Sequence, residues 1–277
     1  MSAKQTSFFI SAHPDDWQLF MMPSAFHAMQ ESFNKAVFIL ITSGDAVGNI
    51  TENVSLRALS NAREEGALRA LRFMLSLKRS TVVFEKSSVA LNGKQLERHT
   101  AHNVAVYFIR LPDGNPEGTG YTAQPGQSLK YLHAGKTTNL STVDDANVYM
   151  DWNDLIRTIH EIVNFESSDT DRIVLHSTDS SPEHSPNDHS DHYLCGTLAS
   201  DVFNLKTSAD LHFYTGYDIA RRSVNLVLPD LLLQVAVWGV TNSAIVDAGL
   251  PSAFDEIHNQ WLGKNYSRSI ENGTSKE

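Results

Sequence analysis

Two short clusters of histidine and aspartate stand far apart in the chain, His13-Pro14-Asp15-Asp16 and Asn187-Asp188-His189-Ser190-Asp191-His192. Imidazole nitrogens and carboxylate oxygens are the donors of catalytic zinc sites, which take three protein ligands and leave one position open to water. His13, Asp16 and His192 fill that description, with Asp15 beside them as a spare base. If a helix begins near His189, that residue and His192 are three apart and share a face, so His189 stays free beside the open position. Such a set suits removal of an acyl group from an amide. Zinc lowers the pKa of water from about 15.7 toward 7 and polarises the carbonyl. Asp15 then takes the proton, and a histidinium at position 189, held by Asp191, protonates the leaving amine. Each cluster alone has a plainer reading: His-Pro and Asp-Asp are common turns, and HxxH on a helix is usually surface polarity. Their coincidence is what points to a site.

The elements that must position these residues follow from the apolar pattern. Ser7 to Ala12 is an apolar run without polar alternation, as in a strand buried on both faces, and it ends at His13-Pro14, which cannot extend a central strand. A helix is predicted from about Asp16 to Phe33, a second buried strand from Ala36 to Thr42, and a long helix from roughly Ser55 to Leu77. Further strands are predicted at Thr81 to Phe84, Val104 to Leu111, Arg172 to Ser177 and Leu211 to Thr215, with helices at Trp152 to Phe165, Asp191 to Leu205 and Leu231 to Val246. Alternating strands and helices imply a mostly parallel sheet, and both clusters fall at the carboxyl ends of buried strands, where ligands bind in such sheets. The stretch 112–147, rich in Gly, Pro, Thr, Asn and Asp, reads as a long loop insertion beside the active site, and the tail from Ser267 to Glu277 as frayed.

Composition narrows the partners. With 32 acidic and 22 basic residues the net charge is -10, so no general field attracts nucleic acid or anionic lipid. The single cysteine, Cys195, can form neither an internal disulfide nor a thiolate cage, so any metal is held by nitrogen and oxygen. The N-terminal apolar run is too short for a signal segment and no apolar stretch reaches ~18 residues, which predicts a cytoplasmic chain without a membrane span. At 277 residues one α/β domain is expected, binding a small molecule; self-association is compatible with it.

These motifs resemble those of the PIG-L or LmbE-like zinc-dependent N-deacetylases, whose signatures A-H-P-D-D-E and H-x-D-H stand here as Ala12-His13-Pro14-Asp15-Asp16-Trp17 and His189-Ser190-Asp191-His192. The resemblance extends to Thr42-Ser43-Gly44-Asp45-Ala46 and to Arg63, and spans about residues 7–205. It implies a Rossmann-like three-layer α/β sandwich, Zn2+ on His13, Asp16 and His192, and Asp15 as general base. It further implies that His189 stabilises or protonates the tetrahedral intermediate, that Asp191 tunes it, and that Arg63 binds substrate. The substrate implied is an N-acylated, above all N-acetylated, amino sugar or similar small polar metabolite. Some relatives add water to a double bond, so a hydratase or lyase on the same scaffold is the rival reading, and a lapsed binding protein a third. Two departures stand out: Trp17 replaces the family's glutamate, as a stacking face for substrate or as a core aromatic, and the family's R-x-x-E segment reads Arg63-Glu64-Glu65-Gly66. Asp113, His184, Tyr214, Tyr217 and Asn225 are weaker candidates; a turn role for Asp113 and a solvated loop position for His184 are the plainer readings.

Overall fold

The computed structural model describes residues 4–31, 33–46, 56–122, 124–206 and 209–271. Strand β1 (Gln5–Ser11) turns Phe8 and Ile10 to one side and Phe9 to the other, all fully buried. A strand apolar at successive positions must be covered on both faces. The helix predicted from Asp16 to Phe33 is instead two, α1 (Asp16–Phe20) and α2 (Met22–Gln30). Pro23 causes the break, because proline has no N–H for the carbonyl four residues back. That carbonyl, of Leu19, accepts from Nε2 of the buried Gln234 at 2.9 Å. β2 (Asn34–Thr42) repeats the two-sided pattern, with Val37, Ile39 and Ile41 opposite Phe38 and Leu40. α3 (Leu56–Ser76) follows.

Thr81 to Phe84 is not a strand; Val82 and Phe84 pack partly buried against the core. The strands lie just beyond it, in the hairpin of β3 (Glu85–Leu91) and β4 (Lys94–Ala101). Its turn is Asn92-Gly93, at φ of 46° and 70°, the two-residue connection that matches the strands' twist. β5 (Val104–Leu111) is as predicted. The stretch after it carries its own elements, α4 (Leu129–His133) and β6 (Leu140–Ser141), the latter paired with β7 (Val148–Tyr149). α5 (Trp152–Glu166), β8 (Arg172–Thr178), α6 (Ser190–Asn204) and β9 (Ala209–Tyr214) lie within a residue or two of expectation. A 3-10 helix (Tyr217–Arg221), α7 (Asp230–Asp247) and α8 (Glu256–Asn259) lead to β10 (Ser267–Glu271). Of the tail expected to fray, Ser267–Glu271 is an antiparallel edge strand beside β9, while residues 272–277 lie outside the described residues; Arg268 forks onto Asp179 at 2.7 and 2.8 Å.

Among the described residues the main sheet runs β10-β9-β8-β1-β2-β5-β4-β3, parallel from β9 to β5 and antiparallel at both edges. α4, α5 and α6 cover one face and α1, α2, α3 and α7 the other, giving the three-layer α/β sandwich with a mostly parallel sheet that the sequence implies. From β1 the chain builds outward through β2 and β5, then returns to the opposite flank of β1 with β8. This reversal makes a switch point at the carboxyl ends of β1 and β8, where open α/β sheets usually carry their ligand crevice. Among the described residues no helix is long and apolar enough to cross a membrane.

Candidate metal centre

His13 leaves the end of β1 at this crevice, and its backbone N–H donates to Asp16 Oδ2 at 2.7 Å, which folds the His-Pro-Asp-Asp turn back on itself. Asp16 thereby opens α1 with its other oxygen turned inward. On the other side, α6 starts directly over the end of β8, because Gly196 lets it approach; a Cβ there would lie 2.3 Å from the Thr178 carbonyl. Thr178 Oγ1 also donates to the His192 carbonyl at 2.9 Å. His189 is the N-cap of α6, and its Nδ1 accepts from the Asp191 N–H at 3.1 Å.

Three donor atoms meet there. His13 Nδ1 and Asp16 Oδ1 are 3.3 Å apart, His192 Nε2 and Asp16 Oδ1 3.1 Å, and the two imidazole nitrogens 3.3 Å. The edge of a tetrahedron of donors about 2.0–2.1 Å from a central ion is roughly 3.3–3.4 Å, so the spacing fits a zinc-like cation. All three residues are buried. Charge points the same way. Burial opposes an imidazolium at His192, yet Asp16 and Asp188 outweigh it and push its pKa up to about 10. Burial likewise opposes charge on His13, but Asp16 and Asp113 hold its pKa well above normal. Burial raises Asp16, and the two imidazoles more than offset this, keeping it well below the carboxylate range. The pocket's chemistry therefore calls for positive charge at the point where the donors converge.

The surrounding residues hold these donors in place. Asp188 Oδ1 takes His192 Nδ1 at 2.7 Å, leaving Nε2 for the centre, and a carboxylate behind a ligand imidazole is the usual support of metal sites. Asp188 is fixed in turn by the His189 N–H at 2.9 Å and Ser185 Oγ at 2.7 Å. Asp113, for which a turn role was the plainer expectation, is buried in the site, its oxygens 3.6 Å from His13 Nε2 and 3.6 Å from His189 Nε2. Asp45 aims it there, accepting the Asp113 N–H at 2.9 Å. Arg63 reaches from α3 to pair with Asp15 and gives Nη1 to the Gly44 carbonyl at 2.7 Å. Gly44 sits at φ +57, and a Cβ there would lie 2.4 Å from that guanidinium.

Some of the geometry differs from expectation. Asp191 does not bond the His189 ring with its carboxylate, which lies 4.0 Å from Nδ1; it accepts the Gly114 N–H at 2.8 Å and faces His13 Nε2 at 3.7 Å. With Nδ1 occupied by a backbone N–H, His189 carries its proton on Nε2. Burial, followed by the charge on His13, pushes its pKa down to about 4. Trp17 has no exposed surface and packs on Phe38 with ring centroids 4.8 Å apart, so it is a core aromatic. Tyr214 bonds His176 and Ser24, and Asn225 bonds Asn265, away from the donors, whereas Tyr217 packs edge-on to His192 at 4.9 Å and stacks on Trp261. His184 is exposed.

With its two histidine-aspartate clusters joined at one centre, the chain belongs to the family described as GlcNAc-PI de-N-acetylase (PIG-L), whose profile matches residues 8–203. No curated protein sequence matches it. Solved structures similar to it include an N,N'-diacetylchitobiose deacetylase from Pyrococcus horikoshii in complex with an inhibitor, at 13% identity and a TM-score of 0.49, covering 94% of this chain and 74% of that one. The 4-carboxy-2-hydroxymuconate hydratase of Pseudomonas putida aligns at 12% identity and a TM-score of 0.44, covering 93% and 82%. A conserved protein of Thermus thermophilus aligns at 16% identity and a TM-score of 0.40, covering 89% and 81%.

Proposed function

We propose that the chain is a single catalytic domain that hydrolyses the linear amide of an N-acetylated amino sugar or similar small polar metabolite, with a divalent ion, zinc by preference, held by His13, Asp16 and His192. The observation that carries this reading is the meeting of three buried donor atoms at 3.1–3.3 Å beside a carboxylate that is not one of them. When bound, the ion supplies Lewis acidity toward the amide carbonyl and makes a water acidic near neutral pH.

The chain's own groups do the rest. Asp15, at the rim of the donors and gripped by Arg63, is the base that takes the water proton on its carboxylate. The same carboxyl then stands where it can return that proton to the amide nitrogen, which leaves only once protonated. His189 Nε2–H is a neutral donor directed toward the carbonyl oxygen as negative charge grows on it, the task of an oxyanion hole. Asp113 and Asp191 face His13 Nε2 at 3.6 and 3.7 Å, too far for hydrogen bonds, and act on the ring as nearby charges while Nδ1 faces Asp16 and His192.

Elemental analysis and an acetate assay over a panel of N-acetylated sugars test this. About one zinc per chain is expected, lost for the most part in His192→Ala, since two remaining ligands hold zinc poorly. Stoichiometric metal without acetate release from any member of the panel refutes the deacetylase reading, and absence of metal in metal-replete protein refutes the centre itself.

A further inference from the structure

Arg110 has a backbone that needs explaining. It is the next-to-last residue of β5, at φ +62, a left-handed conformation that side-chain-bearing residues rarely adopt, beside the point where the β2–β5 register shifts between Leu40 and Thr42. Strain of this kind persists only where the surroundings fix it, and here they do. The Arg110 carbonyl accepts the Val143 N–H at 2.9 Å, and three acidic residues from three elements grip the guanidinium. Nε and Nη2 form a two-pronged fork on Glu64 of α3 at 2.6 and 2.7 Å. Nη2 also reaches Glu97 of β4 at 3.0 Å, and Nη1 reaches Asp144 of the long connection at 3.2 Å.

Both ends of this arrangement lead to the centre. Glu64 is the sequence neighbour of Arg63, so the fork fixes the stretch of α3 from which Arg63 holds Asp15. Along the backbone, the turn at Arg110 sends Leu111-Pro112-Asp113 across the end of β2, where Leu111 accepts the Ser43 N–H at 2.8 Å and Asp113 meets Asp45. We propose that Arg110, outside the site and touching none of the donors, is a positioning residue that sets Asp15 through Glu64 and Arg63 and sets Asp113 through its own kinked backbone. The proposal rests on the hydrolase reading above.

Three variants and two readouts test it. Arg110→Ala keeps the left-handed strain and loses the fork, Arg110→Lys keeps the charge without the fork, and Glu64→Gln weakens the fork from the helix side without touching the strained residue. In zinc-loaded protein, Arg110→Ala should lower kcat at least tenfold with KM and zinc content within a factor of two of the parent. Glu64→Gln should reproduce most of that loss, Arg110→Lys should recover part of it, and Arg110→Ala combined with Glu64→Gln should be no worse than Arg110→Ala alone. In cobalt-loaded protein the visible absorption band should shift or change intensity in Arg110→Ala, which reads the surroundings of the ion without any substrate. An unchanged band together with unchanged kcat overturns the proposal. So does a kcat loss that tracks zinc loss, or additive effects in the double variant. Should the parent bind cobalt but release no acetate, the deacetylase reading fails alone and the band still decides on Arg110. A parent that binds no metal removes the reading and the proposal together.

Discussion

Asp188→Asn isolates what a carboxylate contributes from behind His192, the proposed metal ligand. Asp188 Oδ1 accepts from His192 Nδ1 at 2.7 Å, from the His189 N–H at 2.9 Å and from the Tyr217 N–H at 3.2 Å, while Oδ2 accepts from Ser185 Oγ at 2.7 Å. Asparagine keeps the shape and one oxygen, so the three donors on Oδ1 retain their acceptor. Its amide nitrogen replaces Oδ2, where Ser185 can accept instead of donate. What disappears is the negative charge that makes the His192 imidazole a stronger donor at Nε2. Loss of such a partner typically weakens metal affinity 10–100-fold, about 1.4–2.7 kcal/mol. The expected outcome is a zinc dissociation constant raised by roughly that factor in competition with a chromogenic chelator, with the melting temperature of zinc-saturated protein little changed. Asp188→Ala should do more. It strands buried N–H groups at about 1–3 kcal/mol each, so it should lower the melting temperature as well as the affinity. Zinc affinity in Asp188→Asn equal to the parent's would refute the argument that Asp188 acts through His192. Loss as complete as in His192→Ala would mean that the charge of Asp188 belongs to the ion's own ligand set.

Asp15→Asn should keep zinc while activity falls ~10²–10⁴-fold, the usual contribution of a positioned base; loss of zinc to the extent seen in His192→Ala would make Asp15 a ligand and reverse the roles within Asp15-Asp16. Arg63→Ala removes a charged hydrogen bond worth about 1.5–3 kcal/mol from Asp15, so kcat should fall by roughly 10–100-fold with zinc content intact, whereas a rise in KM alone would show that Arg63 serves the substrate directly. Acid stability has a nameable contributor in Glu97. Burial raises its pKa, but hydrogen bonds from Lys86, Arg110 and His99 outweigh this and hold it at about 2. The folded carboxyl thus binds a proton less readily than the unfolded one. Its stabilisation is complete above the unfolded value of about 4.3 and drains away as pH falls toward 2. Urea midpoints measured across that range should fall less steeply in Glu97→Gln than in the parent; parallel slopes would assign the acid limb to other carboxylates.

The residues that converge at the candidate centre were legible in the sequence because their signal is local: each sits in a short cluster at the end of an apolar run, and the runs announce buried strands. The supporting residues were not, since their roles arise only from folding. Asp113 reads as a turn former until Asp45, 68 positions away in sequence, accepts its N–H. Arg110 carries no motif at all, and its partners come from α3, β4 and the long connection. The β3–β4 hairpin had a readable mark, the Asn92-Gly93 pair, but β3 is largely exposed, β4 is half-buried, and neither has the apolar run by which the others are recognised. The break between α1 and α2 was also written locally, in Pro23, while the partner that makes the break tolerable, Gln234, lies far downstream. Spacing alone cannot tell whether the carboxylate or the backbone N–H of Asp191 meets the His189 imidazole, and in the folded chain it is the N–H.

The position of β1 has a bearing on how the protein is made. Of the described strands it is the first to leave the ribosome, and it lies at the centre of the sheet, yet one of its two neighbours, β8, begins only at Arg172. A nascent chain can pair β1 with β2 and β5 early, but the other flank of β1 stays open until synthesis has passed β8. His192 follows β8 closely. His192 therefore arrives just after the strand that covers this flank of β1, and a nascent chain short of β8 has neither a sealed central strand nor the third residue of the candidate centre. Closure of the central strand and assembly of the candidate centre thus fall at nearly the same point in biosynthesis, with β9 and β10 still to be added at the edge.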